Sequence, residues 1–250
     1  MSEPKSRESL RSARRVLIKA GTSIVANENG KPSLTRIGAI AEQIGELVGS
    51  GVEVIFVSSG AVGMGKRMLK NQTTMQMTFS DLQNITRNGS EHEMAKLGEG
   101  VPVGDVSRST LRHRSSMRKP VKSESFVNLL SQGRTTSADK KTYDSACAAA
   151  GQFEMMNLYS SLFQQCDVTP SQLLLTHIDF SSPSRLSNLK YTVERLLALG
   201  IVPIINENDA VSGNLGYTEN EKLAFSDNDG LATLCARSFD CEVRLAMCYA

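Results

Sequence analysis

An α/β fold on a mainly parallel sheet is what this sequence predicts, and two observations predict it. Short β-branched apolar runs alternate with longer segments whose apolar residues recur at helical spacing, the pattern of buried strands covered by helices. Three polar clusters, Val57-Ser58-Ser59-Gly60-Ala61-Val62-Gly63, Ile204-Ile205-Asn206-Glu207-Asn208-Asp209-Ala210-Val211 and Asp227-Asn228-Asp229, follow such runs or lie one short excursion beyond them. Ligands of open parallel sheets bind outside the carboxyl ends of the strands, so the three clusters would converge on one pocket. Turn chemistry is the alternative for any one cluster alone.

Val16-Leu17-Ile18-Lys19-Ala20-Gly21-Thr22-Ser23 reads as a strand running into a small-residue turn. A lysine at the end of an apolar strand is costly to bury unless it faces an anion. Gly21 permits close backbone approach, and Thr22 and Ser23 add hydroxyl donors, so the unit resembles a phosphate cradle without being a Walker A loop. A solvated strand-end lysine is the competing reading. From Leu34 to Val48, Ile37, Ile40, Ala41, Ile44, Leu47 and Val48 form an amphipathic stripe. Gly51 closes that helix and Val54-Ile55-Phe56-Val57 is the next strand, which completes a βαβ unit. Ser58-Ser59-Gly60 then falls at a strand-to-helix turn, where outward-pointing amides favour a carboxylate or phosphate.

Between residues 72 and 140 the character changes. Arg108, Arg112, Arg114, Arg118, Lys119 and Lys122 are interleaved with serines and large apolar periodicity is poor, which predicts a solvated, largely disordered insertion within one domain spanning 1–250. Phosphorylation of Ser109, Ser115 or Ser116, or an acidic partner, is the functional alternative. Order is expected to resume at Ser145. Ala146 to Cys166 reads as a helix, Leu173-Leu174-Leu175 as a strand, Leu186 to Leu199 as a helix and Ile201 to Ile205 as a strand, with Pro203 unfavourable inside it. Gly213 to Lys222 reads as a polar loop or hairpin, Asn228 to Ala236 as a helix behind an Asp/Asn cap, and Cys241 to Met247 as a strand.

Composition bounds the partners. A formal charge of +2 argues against nucleic acid or an anionic membrane as the main partner. The longest apolar stretch, Leu196 to Ile205, contains Gly200 and Pro203 and is too short to span a bilayer, so a soluble, cytoplasmic protein is expected. Five cysteines without CxxC spacing and three scattered histidines, His92, His113 and His177, predict neither a disulfide framework nor a protein-held metal. The basic start, Lys5 to Arg15, is interrupted by Glu3 and Glu8 and reads as a solvated tail.

Val16 to Ser23, Val57 to Gly65, Cys147-Ala148-Ala149-Ala150-Gly151-Gln152, Ile201 to Val211 and Asp227-Asn228-Asp229 together resemble the glutamate 5-kinases of the amino acid kinase family. These occur alone or as the amino-terminal part of pyrroline-5-carboxylate synthases. The resemblance covers about residues 14–71 and 143–245. It implies a three-layer αβα sandwich of the carbamate kinase-like type and transfer of the ATP γ-phosphoryl group to the side-chain carboxylate of L-glutamate, the first step of proline biosynthesis. Two departures stand out. The polar insertion is longer than the family's loop, and the family continues beyond the last strand with a nucleotide lobe carrying a second catalytic lysine. The chain is therefore expected to be incomplete at its carboxyl end and inactive alone, and a non-catalytic glutamate-binding or assembly fragment is the alternative function.

The chemistry of such a transfer needs no general base, because a carboxylate with a reference pKa of about 4.3 is already ionised at neutral pH. Two anions must instead be aligned and neutralised. The resemblance assigns Lys19 to the transferring phosphoryl group with the Gly21 and Thr22 amides, and Ser59, Gly60 and Asn228 to glutamate. It makes Asp229 the aspartate that holds the catalytic lysines. Asp209 suits the substrate ammonium and Asn206 supports its loop. Magnesium would ride on the ATP phosphates. A homo-oligomer and a fused or partner glutamyl phosphate reductase are further expectations from the family.

Overall fold

The computed structural model describes residues 12–27, 30–71, 137–212 and 227–247. The chain divides into two compact units, Met1–Met68 with Thr136–Ala250 and Leu69–Thr135, and the first of them contains the whole sheet. The expected hairpin over Gly213 to Lys222, the basic start up to Arg11, and residues 72–136 of the expected insertion lie outside the described residues.

The strands are β1 (Arg15–Ala20), β2 (Glu53–Ser58), β3 (Thr169–Leu175), β4 (Ile201–Glu207) and β5 (Val243–Met247), and they form one sheet in the order β3-β4-β2-β1-β5. Every pairing is parallel. Between them run α1 (Thr22–Val25), α2 (Leu34–Gly49), α3 (residues 61–71), α4 (Ser137–Gln164), α5 (His177–Ser181), α6 (Pro183–Ala198), α7 (Asp209–Ser212) and α8 (Asn228–Ser238).

Side chains alternate across a strand, and the two resulting faces bury separate cores. Ile18, Phe56 and Ile204 pack with Ile37, Ile40 and Ile44 of α2 and with Met155, Tyr159 and Phe163 of α4. Leu17, Ile55, Val57 and Ile205 pack on the other side with Val193 and Leu197 of α6 and Leu231, Ala232 and Cys235 of α8. These are the three αβα layers. The Phe56 and Tyr159 rings meet edge to face with centroids 5.4 Å apart, and Tyr159 exchanges a 2.6 Å hydrogen bond with the buried Ser58 hydroxyl. That bond anchors the carboxyl end of β2.

Several expectations need correction. The long helix begins at Ser137, not Ala146, so residues 137–140 are helical. Ala138, Lys140 and Lys141 are strong helix formers, but a polar stretch without apolar periodicity gives no signal to read. The small-residue turn after Lys19 is the one-turn helix α1, and α6 starts at Pro183, which suits a first helical position, after the extra short helix α5. β5 starts at Val243 rather than Cys241. Pro203 does sit inside β4, opposite Ser171 of β3; the ladder to β2 begins only after it, at Ile204.

Candidate active site

The carboxyl ends of β1, β2 and β4 open on one pocket of about 410 Å³. Lys19, Thr22, Ser59, Gly60, Asn206, Asp209, Asn228 and Asp229 all line it, joined by Glu207 and Asp227. Gly21 lies just behind, where a Cβ would sit 3.5 Å from Lys19 Nζ.

Lys19 shares a strand face with Leu17, so it points toward α8. Only 6% of Lys19 is exposed, and its Nζ donates to Asp229 Oδ2 at 2.9 Å. A buried ammonium requires such a partner. Asp229 lies in the first turn of α8, which is capped by Asp227 accepting from the Gly230 N–H at 2.7 Å. The DND cluster thus combines one capping carboxylate with one facing the lysine.

Ser59 and Gly60 make the turn into α3. Gly60 has φ +113°, a conformation that L side chains rarely adopt, and its carbonyl accepts from the Met64 N–H at 3.0 Å. Val62 and Gly63 of the first turn of α3 line the pocket, where unsatisfied helix amides favour an anion.

Asn206 is buried at the end of β4, with 1% exposed. Its Nδ2 donates to Gln152 Oε1 at 2.8 Å, and its Oδ1 accepts from the Glu207 N–H at 2.9 Å. Asn228 Nδ2 donates to Ser59 Oγ at 2.8 Å and to Asn206 Oδ1 at 3.2 Å. The three clusters of the sequence are therefore linked by hydrogen bonds across β2, β4 and α8.

Asp209 opens the single turn α7 rather than lying in a loop. Burial, with Asp144 nearby adding repulsion, raises its carboxyl above the usual range. Glu207 is likewise raised by burial, then by Asp209 and Asp227, against a lowering contact from Ser212. Glu207, Asp209 and Asp227 thus add carboxylates to the lining of the pocket that also holds the Lys19–Asp229 pair. The pocket therefore brings an ammonium and several carboxylates together, groups able to meet anionic and cationic parts of a ligand. Among the described residues no group of three or more His, Cys, Asp or Glu side chains is placed to hold a metal ion.

Glu207, Gln152 and Asp144 carry weight here that the sequence reading did not give them. Glu207 was hidden inside the Asn206–Asp209 cluster. Gln152 had a visible signal, a single amide following a run of alanine and glycine on a helix.

The Amino acid kinase family model matches residues 14–247. Delta-1-pyrroline-5-carboxylate synthase 2 of Oryza sativa subsp. japonica is 34% identical over 238 residues, covering 95% of this chain and 25% of that protein. Delta-1-pyrroline-5-carboxylate synthase 1 of the same organism is 37% identical over 231 residues, covering 92% of this chain and 25% of that protein. Glutamate 5-kinase of Citrifermentans bemidjiense is 28% identical over 241 residues, covering 96% of this chain and 46% of that protein. The chain thus spans a quarter of the synthases and about half of the glutamate 5-kinase. A match along nearly its whole length, on a parallel sheet of three layers, means that this chain belongs to the amino acid kinase family.

Proposed function

We propose that this chain acts as a glutamate 5-kinase, transferring the ATP γ-phosphoryl group to the side-chain carboxylate of L-glutamate. The observation that carries the reading is that one pocket is lined by the buried Lys19 ammonium and by the Asp209 and Glu207 carboxylates. Glutamate is a zwitterion with a second carboxylate, so its ammonium suits Asp209 and its side-chain carboxylate can extend toward Lys19. Ser59, Gly60 and Asn228 hold the amino acid, and Asn206 supports them. Lys19, with the Gly21 and Thr22 amides, neutralises charge on the transferring phosphoryl group, and Asp229 keeps the lysine in place.

A terminal phosphate would sit beside Lys19, near Gly21, where an added Cβ would come 3.5 Å from Nζ. ATP supplies the phosphoryl group, and Mg²⁺ held on its phosphates supplies further neutralisation. What these residues contribute is alignment and charge. The product would be L-glutamyl 5-phosphate, an acyl phosphate that hydrolyses readily. That lability favours a fused or partner glutamyl phosphate reductase, and the names of the synthase relatives are in keeping with one. A homo-oligomer, and a cytoplasmic location where ATP and glutamate are abundant, complete the reading.

A second reading, a part that binds glutamate without turning it over alone, rests on the chain spanning about half of the glutamate 5-kinase it matches. The test is ATP-dependent acyl phosphate formation, trapped as hydroxamate, with the purified chain beside a full-length relative. Turnover within about tenfold of the relative, a barrier difference of about 1.4 kcal/mol, supports the kinase. Glutamate binding without hydroxamate supports the second reading, and neither activity overturns both.

A further inference from the structure

A second cavity, of about 170 Å³, adjoins the main pocket. Val62, Glu207 and Asp209 line both, so the two meet at those residues. Lys141, Asp144 and Ser145 of α4 line the second one only. Their spacing of three and four positions puts them on one face of the helix. That face continues through Ala148 to Gln152, which is bonded to Asn206 of β4, so the register of α4 brings Lys141 to the cavity. Lys19 and Lys141 are the only cations among the described residues that line either space. Lys19 is paired with Asp229. Asp144 is paired with Lys66 at 2.6 Å, and Lys141 forms no ion pair among the described residues.

We propose that Lys141 is a further substrate-binding residue, which meets the α-carboxylate of an amino acid whose ammonium sits where the two cavities join. The proposal deepens the glutamate reading and rests on it for its ligand. The ammonium and α-carboxylate of an amino acid share one carbon, so an ammonium at Asp209, which lines both spaces, keeps the α-carboxylate close to the second one. In the proposed transfer the side-chain carboxylate goes toward Lys19. The α-carboxylate then needs another cation, and Lys141 is the one the lining supplies. A simple anion is repelled from a space that Glu207 and Asp209 also line. An α-carboxylate brings the ammonium beside it as a counter-charge, so the joined cavities select a zwitterion carrying a second carboxylate. Lys141 is exposed, so solvent and salt screen its contact and keep its contribution modest.

The experiment titrates L-glutamate and 4-aminobutyrate, which is glutamate without its α-carboxylate, into the full 250-residue chain by calorimetry. Wild type is compared with Lys141→Met, Lys141→Gln, Lys141→Arg and, as a control for diffuse charge, Lys140→Met. Wild type is expected to hold L-glutamate at least about tenfold more tightly than 4-aminobutyrate. Lys141→Met and Lys141→Gln should each weaken L-glutamate by about tenfold and leave 4-aminobutyrate within about twofold, so that the preference disappears. Lys141→Arg keeps the charge and should stay within about threefold of wild type, and Lys140→Met, one position off the face, should change nothing. Glutamate affinity retained in both neutral variants at position 141 would overturn the proposal while the function proposed above stands. So would an equal loss in Lys140→Met, which would mean that only net charge matters, or an equal loss of both ligands at position 141. If 4-aminobutyrate binds too weakly to measure, the loss of L-glutamate at position 141 against position 140 decides alone. A wild-type chain that binds no glutamate refutes the function and this proposal together.

Discussion

Lys19 and Asp229, 210 residues apart in the chain, meet at 2.9 Å across the seam between β1 and α8. The lysine side chain is 7% exposed and the aspartate 57%. The ammonium is therefore sunk in the sheet while its partner stands at the pocket wall. In the proposed transfer an incoming anion approaches a cation that is already oriented, and no part of that orientation has to be created during the reaction.

Replacing Lys19 by Met should therefore affect turnover far more than substrate affinity. In a form that includes the nucleotide lobe expected from the family, hydroxamate formation is expected to fall by about two to three orders of magnitude, the loss typical of one preorganised electrostatic group. Glutamate affinity by calorimetry should fall by only about tenfold, the worth of the carboxylate contact to Lys19, because the ammonium subsite is untouched.

Asp209→Asn should separate function from stability. It keeps the shape and removes the charge proposed to face the substrate ammonium, so glutamate binding should weaken by about 1.5 to 3 kcal/mol. Burial and Asp144 raise the Asp209 carboxyl in the folded chain, so the native state holds its proton more tightly than the unfolded state does. Its stabilising contribution is complete at pH below the unfolded value and is lost as pH rises through the folded one. At neutral pH the neutral amide removes that penalty, and the melting temperature should rise; about 1 kcal/mol corresponds to roughly 2–4 °C in a domain of this size.

The same shift governs binding. As pH falls, Asp209 takes up its proton above the usual range for an aspartate, and its attraction for the ammonium is lost. Glutamate affinity should start to decline at a pH higher than the ordinary aspartate value of about 3.9 would give. In Asp209→Asn this part of the pH dependence should vanish from calorimetric profiles.

Gly65 and Gly151 fix the crossing of α3 and α4 that carries Gln152 to the site. A Cβ on Gly65 would collide with the Cys147 carbonyl, and one on Gly151 with the Ala61 carbonyl. Backbone cannot yield as a flexible side chain does, so Gly65→Ala and Gly151→Ala should each destabilise by about 3 kcal/mol. Urea unfolding measures this. Deleting residues 75–135 behind a short flexible link should instead preserve the described fold, since loop length costs little. Lys66 of α3 and Asp144 of α4 also join the two helices, at 2.6 Å.

Strand periodicity made the sheet readable from the sequence, and the three polar clusters made the pocket readable, because both follow from where parallel strands end. What escaped has a physical reason in each case. Residues 137–140 are helical through propensity and continuity with α4, and leave no apolar stripe to see. The α1 and α5 turns are too short to show a period. Gln152 is placed by a helix crossing, and its partner Asn206 lies 54 positions away; local patterning contains no such distance. The positions of Ser59 and Asn228 were legible, whereas the direction of each amide between them depends on a single backbone N–H at Glu207.

The most direct test of a glutamate site between Asp209 and Lys19 is one titration, L-glutamate against L-aspartate on the purified wild-type chain. If Asp209 holds the ammonium and the side-chain carboxylate extends toward Lys19, the pocket measures length as well as charge. L-Glutamate should bind saturably, with a dissociation constant of about 1 mM or tighter, and L-aspartate, shorter by one methylene, at least about tenfold more weakly. Equal affinity for the two, or no saturable glutamate binding, would contradict that site.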